Sequence, residues 1–291
     1  MTNNEYRPVR RRTSLVAPGS DERKARKALN STADEVVLDL EDAVTTANKH
    51  TARELVAELV REFGATRTVS VRVNGPTTPW FVADMTACGL LGESLTSAIV
   101  PKVESAEELL EAQRLLVAAG GNSVTLQALI ETPLGVSNVD AVTRSTTRLQ
   151  AIVIGYADLG AALGRSRTAL PEHWLAVQDR ILIACRTAGI AAIDGPFLGI
   201  ADDDAFRHSA AWTSALGFDG KWVIHPAQID SATAAFTPSD SDVTDARRVL
   251  GALEEAEASG AGAAQLDGQM LDEAVAVAAR RTLARAEGVR A

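Results

Sequence analysis

The sequence contains only two cysteines in 291 residues, Cys88 and Cys185, and no CxxC pair. So few thiols provide no basis for an iron–sulfur cluster or a structural zinc site, and they fit a reducing compartment. A chain of this length buries roughly three quarters of the surface that its unfolded form exposes. It therefore needs no covalent cross-links to hold a core.

Positive charge and long apolar runs are also scarce. The formal net charge is −9, which argues against a nucleic-acid partner because neutralising phosphates requires a basic face. No apolar run approaches the ~18 residues that a membrane span needs. The basic start, MTNNEYRPVRRR, has no apolar segment behind it, so we do not expect it to be a secretory signal. We therefore expect a cytoplasmic protein that does not enter a membrane.

Short apolar, β-branched runs recur along the chain and alternate with segments of helical spacing. Eight such runs are RTSLVAP (12–18), EVVLDL (35–40), TVSVRVN (68–74), SAIVPK (97–102), TLQALIE (125–131), AIVIGY (151–156), GIAAIDG (189–195) and GKWVIHP (220–226). The segments between them include DERKARKALN, NKHTARELVAELVREF and SAEELLEAQRLLVAAG. This alternation predicts an α/β protein with a parallel sheet covered by helices. Eight units favour a (β/α)8 TIM barrel.

The alternative fold is an open doubly wound sheet, which usually carries a glycine-rich phosphate loop after its first strand. Here that position reads LVAPGSDER, with one glycine. The nearest approach to GxGxxG, SGAGAAQLDG, follows a helical segment rather than a strand, so it is not a dinucleotide signature. GxSxG, the P-loop and HExxH are absent as well. The barrel is the better prediction.

The chain continues beyond what a barrel requires. We predict a catalytic barrel domain over residues 1–236 and a C-terminal helical extension over 237–291. Helices are expected at Asp242–Ala258 and Met270–Glu287, separated by the flexible stretch SGAGAAQLDG. The simpler interpretation is a helical cap or dimer element, and the sharper one is a lid that carries a functional residue.

Polar residues follow the eight apolar runs, at the positions that face the active site of a TIM barrel. In chain order they are Asp39, Glu41, Asp42, Arg72, Asn74, Lys102, Glu131, Asp158, Asp194 and His225. Glu131 stands directly after TLQALI, and Pro133 and Gly135 end the strand behind it. The sequence thus predicts that Glu131 points into the mouth of the barrel.

Glu131 and Asp158 lie one strand–helix unit apart, so they are expected to project towards one spot. Two carboxylates without a nearby cysteine suit a hard, oxygen-preferring cation, Mg²⁺ or, as the alternative, Mn²⁺. The competing interpretation is that each carboxylate caps the helix that follows it. Spacing alone leaves both open.

Arg72 lies within the apolar run TVSVRVN, where an unpaired guanidinium is costly. Its planar fork fits a carboxylate bidentately. It therefore either binds a substrate acid or pairs structurally with Glu41 or Asp42. Lys102 and Asp194 are expected to be structural.

A histidine and two basic stretches are the remaining polar features. His225 is expected to pack or to donate and accept hydrogen bonds. The basic stretches RPVRRR and DERKARKAL flank the first run, and we expect them near the barrel mouth, where a phosphate-bearing ligand would use them.

A family resemblance is visible in these and neighbouring residues. The stretches that carry it are SLVAPGSDERKARKAL, VVLDLEDAV with NKHTAR, VRVNG with TPW, IVPKVESAEEL, ALIETPLGV, IGYADLGAALG, AIDGPFLGI and ALGFDGKWVIHPAQI. Together, and in this order from about Arg12 to the last helix, they resemble the citrate lyase β-subunit-like family. That family belongs to the HpcH/HpaI aldolase superfamily and includes malyl-CoA and citramalyl-CoA lyases.

The resemblance implies a TIM barrel, Mg²⁺, and cleavage or formation of a carbon–carbon bond beside a CoA thioester. It implies that Glu131 and Asp158 bind the metal and that Arg72 grips the carboxylate of the keto acid. We add Glu41 as a candidate catalytic residue. One departure is in GYADL, where Tyr156 and Ala157 stand at positions at which relatives often carry a small residue and an acid.

Further implications concern the ends of the chain. GQMLDEAVAVAARR resembles the family's C-terminal motif, whose aspartate, here Asp272, reaches a neighbouring subunit's active site. The segments around Arg12 and Lys27 match regions near the CoA nucleotide. Asp272 would then protonate the departing acyl-CoA enolate, or deprotonate the thioester in the reverse direction. The active unit is expected to be a homotrimer or homohexamer.

The substrate pair implied is an acyl-CoA with glyoxylate, pyruvate or oxaloacetate. Three rivals remain at this stage: a subunit acting on an acyl-carrier thioester within a citrate lyase complex, a CoA-independent pyruvate aldolase, and a catalytically silent barrel. Retention of the metal-binding and proton-transfer motifs argues against the silent barrel. The extra C-terminal helices argue against the compact aldolase.

Overall fold

The computed structural model describes residues 9–258 and 264–287. Two compact units divide this part of the chain. The first covers Arg11–Thr233, and the second begins at Ala234 and also takes in residues 9 and 10. The division between the two compact units follows Thr233, and the domain boundary predicted after residue 236 stays a prediction.

The first unit is a closed barrel of eight parallel strands, in which each strand pairs with its neighbours along the chain and β8 pairs with β1. The strands are β1 Thr13–Pro18, β2 Glu35–Asp39, β3 Val69–Arg72, β4 Ser97–Val100, β5 Thr125–Ile130, β6 Leu149–Ile154, β7 Ala191–Asp194 and β8 Gly220–Val223. Each lies on one of the eight apolar runs. The prediction of a (β/α)8 TIM barrel is confirmed, and the open sheet is excluded because no strand edge is left unpaired in the barrel.

Helices follow the strands. They are α1 Glu22–Leu29, α2 Lys49–Phe63, α3 Phe81–Leu91, α4 Ala106–Ala118, α5 Pro133–Ser137, α6 Val139–Thr143, α7 Tyr156–Leu163, α8 Leu175–Ala188, α9 Asp204–Leu216, α10 Ile229–Ala235, α11 Asp240–Ala258 and α12 Glu273–Glu287. Short 3₁₀ turns occur at Thr46–Asn48, Gly92–Ser94, Pro171–Trp174 and Pro226–Gln228. Within the described ranges, no helix has the length and apolarity to cross a membrane.

Local sequence explains where the helices begin. Asp21 accepts a hydrogen bond from the Lys24 amide at the start of α1. At α4, Ser105 and Glu108 form a capping box, in which each side chain accepts a hydrogen bond from the other residue's backbone N–H. Both devices satisfy amides that have no partner inside the helix.

Side chains inside the barrel form layers because alternate residues of a strand face the same side. Glu35, Val37 and Asp39 of β2 show the pattern, as do Gln127 and Leu129 of β5. The middle layer is an apolar cluster of Val37, Ile99, Leu129, Ala151, Val153, Ile193 and Trp222. It separates a polar layer at the amino end from charged side chains at the carboxyl end, as the packed interior of a TIM barrel requires.

The polar layer at the amino end is built around the fully buried Glu35. Its oxygens accept hydrogen bonds from Arg11 Nε (3.0 Å), Ser14 Oγ (2.7 Å), Ser70 Oγ (2.6 Å) and Gln127 Nε2 (2.9 Å). A buried carboxylate is tolerated only when it is paired and hydrogen-bonded in this way. This layer closes the amino end and leaves the carboxyl end for chemistry.

The second unit contains α11, α12 and a hairpin, β9 Ala264–Leu266 and β10 Gln269–Leu271. The sequence pattern predicted that SGAGAAQLDG is flexible, and its described part, from Ala264 onward, is instead this hairpin. Asp267 and Gly268 both have positive φ (49° and 78°), as a two-residue Asp-Gly hairpin turn demands. The last helix consequently begins at Glu273 rather than at Met270. The rest of the stretch lies outside the described residues.

Candidate metal and active site

Three carboxylates meet at the carboxyl end of the barrel around the ammonium of Lys102. Lys102 Nζ lies 2.6 Å from Glu41 Oε1, 3.2 Å from Asp158 Oδ2 and 3.9 Å from Glu131 Oε1. Glu131 follows β5, Asp158 lies in the first turn of α7, and Glu41 follows β2. Because parallel strands end at one rim, residues far apart in sequence share one spot.

Neither metal-site candidate caps a helix. The α5 helix is capped by Thr132, whose side chain accepts from Gly135 N. The residue that precedes α7 is Gly155, and no side chain caps that helix. The capping interpretation of Glu131 and Asp158 is therefore wrong, and both carboxylates are available for another role.

Glu131 is nearly inaccessible, with 3% of its surface exposed. Its Oε1 accepts a hydrogen bond from the Lys102 backbone amide at 3.0 Å. Burial raises the pKa of the Glu131 carboxyl to about 8, and the charge of Glu41 adds to the effect, whereas Lys102 and Arg72 oppose it. A carboxylate in this position is incompletely neutralised by the protein, so a cation beside it is favourable.

The donor set fits Mg²⁺. The side chains that form this acidic cluster are Asp39, Glu41, Glu131 and Asp158, together with the cations of Arg72 and Lys102. With all groups ionised, the carboxylates outnumber the cations by two, which is the charge of one divalent ion. Hard oxygen ligands select Mg²⁺, and such sites commonly use one or two carboxylates and several waters rather than a closed protein cage. Within the described ranges, no group of three or more His, Cys, Asp or Glu side chains is arranged to hold a metal ion.

Most of the Arg72 guanidinium is paired with carboxylates of the protein itself. Its Nε and Nη2 donate to the two oxygens of the buried Asp39 at 2.7 and 2.6 Å. Its Nη1 lies 2.9 Å from Glu41 Oε2, without hydrogen-bond geometry. Sequence reasoning gave Glu41 or Asp42 as structural partners and missed Asp39, although Asp39 and Arg72 are register partners on β2 and β3. Asp39 therefore takes the Nε and Nη2 groups of Arg72, and the Nη1 edge faces Glu41.

Glu41 and its loop are held by a second lysine. Lys49 Nζ donates to the backbone oxygens of Leu40 and Glu41 at 2.8 and 2.7 Å, and it lies 5.5 Å from the centre of the Trp80 ring. Burial raises the pKa of the Glu41 carboxyl, against the opposing charge of Arg72. Sequence reasoning missed Lys49, because its partners are backbone atoms that no side-chain pattern reveals.

Lys102 is the central residue of the site, although sequence reasoning gave it only a structural role. Its position at the end of β4 was the available signal. Burial alone would lower the pKa of Lys102, but the hydrogen bond to Glu41 and the charges of Glu131 and Glu41 raise it above its ordinary value. Lys102 therefore stays protonated in the described site.

A separate hydrogen-bond network lies behind α7. Asp194, fully buried at the end of β7, accepts from Tyr156 at 2.6 Å and is also paired with Lys221. The Tyr156 hydroxyl in turn accepts from Gln178 Nε2 at 2.8 Å. Asp194 is thus structural, as expected, and Tyr156 fastens the first turn of the helix that carries Asp158.

Replacing Tyr156 by Phe is expected to lower the free energy of unfolding by about 2 kcal/mol, because Asp194 and Gln178 both lose a buried hydrogen-bond partner. Urea denaturation of both proteins without metal measures the change. Asp194 keeps Lys221 and Thr213 as partners, so the fold survives. An unchanged unfolding midpoint would contradict the assigned role of the hydroxyl.

Gly155 makes room for Glu131. A Cβ at position 155 would lie 2.3 Å from Glu131 Oε2 and 2.4 Å from Glu131 Cβ. Contacts this short force one partner to move, and the carboxyl group would be displaced. Gly155 is therefore a part of the site that a search for charged residues cannot find.

Gly155→Ala is expected to cost about 1–3 kcal/mol of stability, as overpacking does, and to weaken Mg²⁺ binding at the same time. Gly251→Ala is the matched control, since Gly251 lies inside α11 and a Cβ added there would meet no atom within 4 Å. The control should gain up to about 1 kcal/mol. Thermal unfolding of both variants measures the change in stability, and Mg²⁺ titration measures the change in affinity. Equal Mg²⁺ affinity in the two would show that position 155 does not matter to the site.

Arg12 and Lys27 do not lie with the acidic cluster. Arg12 precedes β1, at the amino end of the barrel, and forms a bidentate pair with Asp34. Lys27 is exposed in the last turn of α1. The expectation that RPVRRR lies near the mouth is wrong for its described residues, because a segment that precedes a strand lies at the amino end. The start of DERKARKAL follows the carboxyl end of β1, but Lys27 is two turns further on.

Asp272 and His225 both start helical segments. Asp272 is exposed, and its Oδ1 accepts from Val275 N at 3.0 Å at the start of α12. His225 Nδ1 accepts from Ala227 N at 3.2 Å. His225 thus has the hydrogen-bonding role expected of it. The active-site role of Asp272 stays a prediction.

Comparison with known proteins agrees with this geometry. The chain is 35% identical over 287 residues to an L-malyl-CoA/β-methylmalyl-CoA lyase of Rhodobacter capsulatus, with 90% of each chain covered. It is 38% identical over 286 residues to a (3S)-malyl-CoA thioesterase of Cereibacter sphaeroides, with 96% of each covered. The Mycobacterium tuberculosis CitE structure, a complex with magnesium, acetoacetate and coenzyme A, superposes with a TM-score of 0.76 at 29% identity, over 98% of this chain and 100% of that one.

The family match extends over nearly the whole barrel. Residues 12–226 match the HpcH/HpaI aldolase/citrate lyase family, and this range runs from the residue before β1 to the start of the 3₁₀ turn after β8. It includes all of the acidic cluster. The chain therefore belongs to the HpcH/HpaI aldolase/citrate lyase family.

Proposed function

We propose that the protein is a Mg²⁺-dependent carbon–carbon lyase of the Claisen or aldol type. It cleaves or forms a 3-hydroxyacyl-CoA of the malyl-CoA, citramalyl-CoA or citryl-CoA type, with an acyl-CoA and a 2-keto acid as the other partners. The observation that carries the proposal is the position of three carboxylates at the barrel mouth. Oxygens of Glu41, Glu131 and Asp158 all lie within 4 Å of Lys102 Nζ. The malyl-CoA lyase and CitE relatives support the same chemistry.

Glu131 and Asp158 hold the ion in this proposal, with Mn²⁺ as the alternative to Mg²⁺. When bound, the ion supplies a Lewis acid to the carbonyl and carboxylate oxygens of the keto acid. Glu131 is fixed for this role by the Lys102 amide and by the space at Gly155. Asp158 is fixed through α7, whose first residue is bonded to Asp194.

Arg72 orients the keto acid and offsets its charge. Its Nη1 edge is the part of the guanidinium that Asp39 leaves open, and Glu41 lies there. A substrate carboxylate that binds at this edge therefore displaces Glu41 from Arg72. Glu41 holds the two cations of the site, Arg72 and Lys102, at fixed distances before substrate arrives.

Asp272 moves the proton at the α-carbon of the acyl-CoA. In cleavage it gives a proton to the carbanion that leaves, and in condensation it takes that proton from the thioester. The family resemblance assigns it to a neighbouring subunit's site, so the active unit is proposed to be a homotrimer or homohexamer. The extension beyond residue 236 then acts as a lid that carries Asp272.

The remaining assignments concern CoA and location. Contacts of Arg12 and Lys27 with the CoA nucleotide stay predictions. Cytoplasmic location is proposed because the sequence has only two cysteines, Cys88 and Cys185, and both are buried. Membranes and nucleic acids are not proposed as partners.

A coupled assay with Mg²⁺ tests the proposal. The purified protein is given malyl-CoA, citramalyl-CoA and citryl-CoA, and the keto acid is trapped with phenylhydrazine while the acyl-CoA is quantified by chromatography. A lyase releases equal amounts of both and stops when Mg²⁺ is chelated. No turnover of any free CoA thioester, with Mg²⁺ binding intact, would favour a subunit that acts on an acyl-carrier thioester.

A second function has support from the 38% identical malyl-CoA thioesterase. Hydrolysis would release a free CoA thiol and the hydroxy acid instead of an acyl-CoA and a keto acid. A thiol reagent added to the same assay distinguishes the two. Thiol release without keto acid would replace the lyase proposal by a thioesterase.

A further inference from the structure

Lys102 differs in its contacts and exposure from two other lysines, both of which are buried. Lys49 (7% exposed) and Lys221 (fully buried) each donate to backbone carbonyl oxygens at 2.7–2.9 Å. Lys221 is also paired with the carboxylate of Asp194, and both side chains are fully buried. The Lys102 ammonium contacts carboxylate oxygens with a side chain that is 40% exposed. A cation that is paired with carboxylates and open to solvent can be exchanged for another cation, whereas the two buried lysines that bind backbone oxygens are fixed.

The ammonium lies beside the two carboxylates that are proposed to bind the metal ion. Its Nζ is 3.2 Å from Asp158 Oδ2 and 3.9 Å from Glu131 Oε1. An ion that binds both of these carboxylates approaches the same oxygens from the same space. Two cations at such a separation repel strongly in a partly buried site, so Lys102 and the ion compete.

The backbone of Lys102 supports a special role. Its φ is 54°, in the left-handed region that non-glycine residues rarely adopt. This conformation lets the Lys102 amide donate to Glu131 Oε1 at 3.0 Å while the side chain reaches Glu41 at 2.6 Å. Strained residues of this kind concentrate at functional sites, and here one residue donates hydrogen bonds to two of the three carboxylates and lies 3.2 Å from the third.

We propose that the Lys102 ammonium is an internal counter-cation, which neutralises the acidic cluster when Mg²⁺ is absent and withdraws towards solvent when Mg²⁺ binds. Lys102 is thus a positioning residue that sets the metal affinity of the site. The proposal rests on the proposed function, since it takes Glu131 and Asp158 as the metal ligands. After withdrawal, the contact with Glu41 remains within reach of the flexible side chain.

Calorimetric titration with Mg²⁺ alone tests the competition in wild type, Lys102→Met and Lys102→Gly. Met keeps the length of the side chain without its charge, and Gly favours the left-handed backbone and keeps the amide to Glu131. Both variants should bind Mg²⁺ at least about 10-fold more tightly than wild type. Lys24→Met, at an exposed position of α1, is the matched control and should bind like wild type.

Thermal unfolding adds a second readout. Without metal, Lys102→Met should melt below wild type because the carboxylates repel one another, and saturating Mg²⁺ should raise its melting temperature by more than it raises that of wild type. Equal or weaker Mg²⁺ binding by both Lys102 variants would overturn the inference. If wild type binds Mg²⁺ and turns over a thioester in that case, the proposed function stands and only the inference fails.

Chemical labelling of the wild type covers the case in which the variants do not fold. Reductive methylation followed by peptide mass spectrometry measures the reactivity of Lys102 with EDTA and with saturating Mg²⁺. Mg²⁺ should increase Lys102 labelling several-fold and leave Lys24 unchanged. Protection of Lys102 by Mg²⁺, or equal labelling in both conditions, would contradict withdrawal of the ammonium.

Discussion

Glu131→Gln is expected to lower Mg²⁺ affinity by about 100-fold or more and to abolish carbon–carbon cleavage at ordinary Mg²⁺ concentrations. The amide keeps the size of the side chain and removes the charge that faces the ion. Calorimetric titration with Mg²⁺ and the coupled assay measure the two effects.

The same substitution should not unfold the protein. Burial raises the pKa of Glu131 to about 8, with Glu41 adding to the effect, so the metal-free folded state favours an uncharged side chain at this position, which the amide supplies. Metal-free Glu131→Gln should therefore melt at or above the wild-type temperature, whereas the stabilisation of wild type by Mg²⁺ through preferential binding to the folded state disappears. Glu111→Gln, on the exposed face of α4, is the control and should retain both Mg²⁺ binding and turnover. Normal Mg²⁺ affinity in Glu131→Gln would remove this carboxylate from the metal site.

The barrel was predictable because each of its eight strands is a short apolar run followed by a helical segment. The period of two along β2 and β5 also explains why Glu131 faces inward, since Gln127 and Leu129 precede it at the same spacing. The pattern of apolar runs does not show which residue each polar side chain at a strand end contacts. Asp39 was visible at a strand end, but only the barrel register shows that it takes the guanidinium of Arg72.

The charged side chains of the site could be predicted from the sequence, but its backbone conformation could not. The left-handed φ of Lys102 and the space at Gly155 depend on how the loops after β4 and β6 pack, and neither has a signature in local sequence. The hairpin before α12 is the opposite case, since Asp267-Gly268 is a strong turn signal that the glycine-rich surroundings obscured. The expectation that RPVRRR lies near the mouth was wrong because a basic stretch that precedes a strand lies at the amino end of the barrel, whatever its charge.

Asp272→Asn is expected to lower kcat by about 10²–10⁴-fold while Mg²⁺ binding stays normal, since it removes a proton donor and acceptor. Asn is chosen because Asp272 Oδ1 also accepts from Val275 N at the start of α12, and Asn caps helices as well as Asp does. Asp272→Ala removes the cap as well and should cost about 1 kcal/mol more in stability. A loss of turnover in Ala but not in Asn would mean that only the cap matters.

Subunit mixing then shows which chain supplies Asp272. Glu131→Gln and Asp272→Asn are each expected to be inactive alone, because one lacks the metal carboxylate and the other the proton-transfer group. In a closed ring where Asp272 serves a neighbour, co-refolding equal amounts places both intact groups in about one quarter of the sites. Activity should therefore reappear at about one quarter of the wild-type level. If Asp272 serves its own barrel, every site in the mixture lacks one group and no activity returns, which would also remove the argument for an obligatory oligomer.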